Sequence, residues 1–219
     1  MTRKKAIKLI DQNGILLVFP INNKKEPRSL WSGFFPSRKL VWEWDQEGDA
    51  AVHKMWSLMK DLSECREVVY SKWYQGRATF FSKQVFVAML AYFLNLGLPD
   101  KPKSLNGRNI LDALENDSPL STKQIKKLTE LQGKDNVRYY HRAMKELFSF
   151  LYIIAYGEVD DGAFPSLAVG ATRNIFEDLY LEAQAMKRVK AEEIINKYLP
   201  QGSLFRRHFD KIASTIGTT

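Results

Sequence analysis

The stretch SPLSTKQIKKLTELQGKDNVRYYHRAMKELFS, residues 118–149, reads as two helices and the turn between them. Ser121 stands three residues ahead of Gln124, the spacing of a capping box, in which each side chain reaches the other's free backbone N–H. The helix this box opens is expected to bury Ile125, Leu128 and Leu131. Gly133 to Asn136 supplies the turn. A further helix is predicted from Val137 to Ser149. Its Tyr140, Ala143, Met144 and Leu147 recur at the three-to-four spacing that gathers side chains on one face. Arg138, Arg142 and Lys145 then fall on the opposite side, with Tyr139 and His141 near the borders.

Outward from this pair, Asn109–Glu115 reads as a short amphipathic helix carrying Ile110, Leu111 and Leu114. Beyond Ser149, Leu151–Tyr156 is apolar and β-prone, residues 157–165 form a loop tip, and Ser166–Val169 can return as a second strand. Helix, helix, turn, helix, strand, loop, strand is the order of a winged helix-turn-helix, expected here over residues 104–182. The third helix of such modules enters the DNA major groove, and the second crosses the backbone. Arg138, Tyr139, Arg142 and Lys145 are therefore the candidates for base and phosphate contact. Lys123, Lys126, Lys127 and the turn residue Lys134 are the candidates for phosphates. A charged helix face is more commonly just a solvated face, so the element order carries this reading, not the charges. Glu158, Asp160 and Asp161 argue the other way, since carboxylates on the wing would repel a polyanion.

The first 103 residues are expected to form a mixed α/β segment. Asn13-Gly14 between apolar runs is compatible with a hairpin or with the end of a helix capped by Thr2; the helix, followed by extended Ile15–Phe19, is preferred. Leu40, Trp42 and Trp44 alternate as in a half-buried strand. Asp49 is placed to cap a helix whose inward positions are Val52, Met55, Trp56, Met59 and Leu62. Val68–Tyr70 and Ala78–Phe81 flank Gln75-Gly76 as two short strands around a turn. Ser82 opens an apolar helix that Gly97 and Pro99 close. Lys101–Ser104 reads as a linker. From Thr172 the chain is mostly helical, with breaks near Leu199-Pro200 and Gly202, and residues 183–219 form a helical tail. The fold class expected is mainly α with small β-elements (α+β).

The 219 residues are 45% hydrophobic and 26% charged, as in folded globular chains, and the formal charge is +8. A basic excess favours polyanionic partners. Cys65 is the single cysteine, which suits a reducing, cytoplasmic location. The longest apolar run, Val85–Leu94, is too short to span a bilayer, so no membrane association is expected.

Beyond element order, particular residues carry a resemblance. Leu120-Ser121-Thr122-Lys123, then Tyr140-His141-Arg142-Ala143-Met144-Lys145-Glu146-Leu147, then Ile153 resemble bacterial winged-helix DNA-binding proteins related to the crosslink-repair DNA glycosylases. Ser29-Leu30-Trp31, Trp42-Glu43-Trp44 and the run Val69 to Arg77 are similar to upstream segments of the same proteins, so the likeness spans most of the chain. It implies the fold and a DNA partner more than a reaction. Glycosylases of that group carry Gln-x-Gln or Gln-x-Asp. Here Gln12, Gln46, Gln75, Gln84, Gln124, Gln132, Gln184 and Gln201 all lack Gln or Asp two residues later, so no catalytic residue is carried over.

Other chemistries find little support. Asp160-Asp161 and Asp45 with Glu47 are turn-type acidic pairs. His53, His141 and His208 lack metal-ligand spacing, and no phosphate-cradling glycine loop appears. No metal or cofactor is expected. Trp31, Trp42, Trp44, Trp56 and Trp73 with Phe34 and Phe35 would suit base stacking, but core packing is the plainer reading, above all for Trp56. Lys72 and Arg77, beside Trp73 and Tyr74, would line a nucleic-acid groove or protect a strand edge by charge. The expectation is a non-enzymatic protein that binds double-stranded DNA. The alternatives are a glycosylase-like repair enzyme with an altered active site, and a module that binds another protein or a second copy of itself.

Overall fold

Thr2 accepts a hydrogen bond from the Lys5 N–H and opens α1 (Arg3–Asn13); Gly14, at φ +75°, closes it by donating its N–H to the Ile10 carbonyl. The chain thus takes the helix, not the hairpin, at Asn13-Gly14. No other residue suits this position. Its φ lies in the left-handed region, and a Cβ there would come within 2.9 Å of Tyr198 and Val85 atoms. The computed structural model describes residues 1–41, 50–159 and 166–216. The expected strand through Trp42 and Trp44, the cap at Asp49, the Asp45/Glu47 pair and the wing residues Asp160 and Asp161 lie outside the described residues.

After α1 come β1 (Ile15–Leu17), α2 (Leu30–Phe34), α3 (Ala50–Glu64), β2 (Val68–Tyr74), β3 (Arg77–Ser82) and α4 (Lys83–Asn95). Then follow α5 (Leu105–Asn116), β4 (Leu120–Ser121), α6 (Thr122–Leu128), a 3-10 turn at Lys134–Asn136, α7 (Val137–Ser149), β5 (Ile153–Val159) and β6 (Ser166–Ala171). Four helices end the chain: α8 (Thr172–Ile175), α9 (Glu177–Ala185), α10 (Arg188–Tyr198) and α11 (Leu204–Ala213). The class is α+β, with the small β-elements joined into one six-stranded antiparallel sheet of order β1-β3-β2-β5-β6-β4.

Alternate residues of β1, β2 and β3 feed two cores, as the two-residue period of a strand dictates. Leu16, Val68, Tyr70 and Phe80 pack with α1, α2 and α3; Ile15, Leu17, Val69 and Phe81 pack with α4 and the C-terminal helices. A third core joins Ile110, Leu114, Ile125, Tyr140, Ala143 and Leu147 of α5, α6 and α7 to Ile153 and Val169 of the sheet. The sheet runs unbroken across the Lys101–Ser104 segment, through the pairing of Tyr70 with Ala155. That segment is fastened, not loose. Pro102 is buried, and the Glu146 carboxylate of α7 accepts from the Lys103 N–H at 2.8 Å, the Ser104 N–H at 3.3 Å and the Ser104 hydroxyl.

Three sequence expectations are corrected here. Trp56 is 46% exposed instead of buried, because the inward stripe of α3 runs through Ala51, Met55, Leu58, Met59 and Leu62 and leaves Trp56 at its edge against Phe19. Leu128 is 60% exposed. Glu130, at φ +57°, turns the chain after α6, and Leu131 donates its N–H to the Lys126 carbonyl and fills the core place instead. The strands expected at Val68–Tyr70 and Ala78–Phe81 extend to Tyr74 and Ser82, since the turn between them is only Gln75-Gly76 with φ +53° and +74°. Positive φ at both central residues is what a two-residue hairpin with the strands' own twist requires.

Candidate nucleic-acid interface

The α6–α7 pair is built as its local sequence dictates. Ser121 and Gln124 form the reciprocal capping box, and α7 spans Val137–Ser149 with Tyr140, Ala143, Met144 and Leu147 buried. Burying those four turns Arg138, Tyr139, Arg142 and Lys145 out to solvent, with Tyr139 56% exposed. Lys123 and Lys127 are exposed on α6 and Lys134 is exposed in the turn. Lys126 is half-buried, its ammonium 4.6 Å from the centroid of the Tyr140 ring. That contact suits a cation–π pair. The Tyr140 hydroxyl is itself buried without a partner among the described residues, and burial pushes its pKa up to about 12.

The tertiary structure adds what spacing does not show. Between α7, the β2–β3 hairpin and α11 lies a groove of about 1030 Å³. Arg142 and Lys145 stand on one wall, Lys72 on the hairpin, and Arg207 and Lys211 on α11. Phe148, Phe150, Leu204 and Ile212 supply apolar surface between them. Among the described residues none of these five cations makes an ion pair. Burial lowers the Lys72 pKa, as expected for an ammonium without a countercharge. Glu146 is the one carboxylate among the lining residues, and its oxygens are bound to Lys103 and Ser104. Arg77, paired with Lys72 at the sequence level, is exposed but does not line the groove.

A strand irregularity shapes the hairpin wall. Trp73 and Tyr74 are neighbours and should face opposite sides of the sheet, yet both enter the α4 core because the register shifts between Ser71 and Tyr74. A bulge re-aims side chains in this way. Trp31 and Trp73 are each 1% exposed, so neither offers a face for stacking on a base. Trp73 instead anchors α11. The His208 ring sits edge-on to it at 4.7 Å, and His208 Nε2 donates to the Trp73 carbonyl at 3.2 Å.

His208, like Arg207 and Lys211, was not a sequence-level candidate. The signal was present, since Arg207 and Lys211 are four apart and Phe205, Phe209 and Ile212 mark the inner face. Arg206 is committed elsewhere, donating to Asp210 and Asn196 at 2.8 and 2.7 Å. Burial lowers the His208 pKa, and Lys211 and Lys145 lower it further against the carbonyl hydrogen bond. Its folded pKa therefore lies below the ordinary 6.5, and below that pH the unfolded chain binds the proton more readily. Stability is expected to fall as pH drops through about 6.5 and to level off below the depressed folded pKa. Urea midpoints should fall more for the native protein than for His208→Asn between neutral pH and pH about 5; equal falls would place the imidazole in ordinary solvent.

A family model described as AlkZ related matches residues 1–205. The chain belongs to the AlkZ-related family. AlkZ itself is a crosslink-repair glycosylase. The match takes in every element from α1 to α10 and the start of α11, so both the α6–α7 surface and most of the groove fall within the family's extent. Searches of curated proteins and of solved structures return no match. No helix among the described residues is long and apolar enough to cross a membrane.

Proposed function

We propose that the chain is a non-enzymatic, DNA-repair-related protein that binds duplex DNA through a winged helix-turn-helix at residues 104–182, with the segments 1–103 and 183–219 packed around it. One observation carries the reading. Arg138, Arg142 and Lys145 are exposed along one face of α7, and among the described residues no carboxylate pairs with them. The order α5, β4, α6, α7, β5, β6, with β6 between β5 and β4, supports the winged-helix assignment. In that arrangement Arg138, Tyr139 and Arg142 address base edges and phosphates from the major groove. Lys145, Lys123, Lys126, Lys127 and Lys134 sit on the backbone. Of the acidic wing residues, Glu158 is half-buried on β5, in register with Leu167 of β6. Membership of the AlkZ-related family supports a DNA partner; the absent glutamine motif removes the basis for glycosylase activity.

Six phosphate contacts give a slope of about −5 in log K against log salt. Fluorescence anisotropy of a labelled random duplex should show that steep dependence. An Arg138→Ala, Lys127→Ala variant should flatten it by about 1.8 and weaken binding about tenfold at low salt. A flat salt dependence for the native protein would end this reading. Weight would then pass to protein interaction, which the exposed Leu128 (60%), Val137 (40%) and Tyr139 (56%) around the α6–α7 turn favour.

A further inference from the structure

The groove beside α7 has dimensions and chemistry of its own. From His141 to Ser149 its α7 wall is about 12 Å long at the helical rise, which is roughly three to four stacked nucleotides of one strand.

The cations form a ladder instead of converging on a point. Arg142 and Lys145 are three residues apart on α7, and Arg207 and Lys211 are four apart on α11, so each wall carries charges about 5–6 Å apart. Lys72 stands on the hairpin between the walls, half-buried and without a counter-ion among the described residues. A single phosphate is held by donors that converge on it, whereas a strand is held by donors that follow it. Between the walls, Phe150 and Leu204 are half-exposed apolar surface, the kind of surface on which bases lie without sequence preference.

We propose that this groove binds a single strand of nucleic acid, its phosphates on Lys72, Arg207 and Lys211 and on Arg142 and Lys145, the two cations it shares with the duplex surface of α6 and α7. The proposal draws on the reading above only for the class of polymer; the groove's length and charge stand without it. Glu146, the one acidic lining residue, has its oxygens on Lys103 and Ser104 and pairs with none of the five cations.

The test uses the full chain, a labelled oligothymidylate and a labelled random duplex. Five phosphate contacts on a single strand give a salt slope of about −3.5. Arg207→Ala with Lys211→Ala should make that slope shallower by about 1.4 and weaken oligothymidylate binding about tenfold at low salt, with duplex affinity unchanged. Both residues are exposed and outside any ion pair among the described residues, so the variant should keep the native melting temperature. The Arg138→Ala, Lys127→Ala variant should behave in the opposite way, losing duplex and keeping the single strand. Oligothymidylate binding without duplex binding by the native protein would retain the groove and overturn the duplex reading. The groove proposal is overturned if the native protein ignores oligothymidylate, if the α11 variant loses both probes equally, or if thymidine monophosphate competes as well as the strand, which would make this a site for free nucleotides.

Discussion

Trp73→Ala is expected to lower the unfolding free energy by about 3–5 kcal/mol, as for other large aromatics cut to alanine in a core. The indole is 1% exposed and touches four rings, from Tyr74 and Phe81 in the sheet to Phe205 and His208 in α11. It therefore joins the hairpin wall of the groove to the α11 wall, and the cavity left by alanine has a strand on one side and a helix on the other. Against a typical total of about 5–15 kcal/mol, a loss of this size approaches unfolding. Trp73→Phe should cost much less than its lost volume suggests. The Trp73 Nε1–H is buried without a partner among the described residues, and phenylalanine removes that unmet donor. Urea unfolding of both variants checks the claim. A loss below about 1 kcal/mol for the alanine variant would show that the ring cluster is not what holds α11 to the hairpin.

How much of this was legible beforehand depends on how local each signal is. The capping box at Ser121 was readable because Gln124 follows within one helical turn, and the bounds of α7 because Gly133 and the Tyr140, Ala143, Met144, Leu147 spacing lie within about four. The Gly14 helix end was readable because a single φ decides it. Positions at the border of an apolar stripe were not: on α3 Leu58 is buried and Trp56, two residues away, is exposed, and after α6 the turn at Glu130 buries Leu131 and leaves Leu128 outside. Nor does a strand's period reveal the irregularity that sends Trp73 and Tyr74 to the same core. The groove was the least legible feature. Lys72, Arg142 and Arg207 come from three elements brought together only by tertiary packing: α7 lies against β2, and α11 lies against Trp73 of the hairpin and, through Phe209 stacked on Phe93 at 5.3 Å, against α4. Taken singly, each basic run reads as a solvated face.

Glu146 is expected to separate fold from charge in a single position. Its carboxylate receives the two backbone N–H groups and the hydroxyl that begin α5, and those donors have no helical partner of their own. Glu146→Ala should destabilise the protein by about 2–3 kcal/mol, combining a lost helix-start contact with lost charged hydrogen bonds. The same substitution removes the one negative side chain among the groove's lining residues, so whatever fraction remains folded should hold a polyanion more tightly, with the oligothymidylate salt slope unchanged because no cation is lost. Glu146→Gln keeps an acceptor oxygen and drops the charge. It should destabilise less than alanine yet tighten binding as much. Urea unfolding and anisotropy on the same two variants read both quantities. If Glu146→Gln weakened oligothymidylate binding, the carboxylate would be placing Arg142 and Lys145, not opposing the strand, and the charge argument for the groove would fall with it.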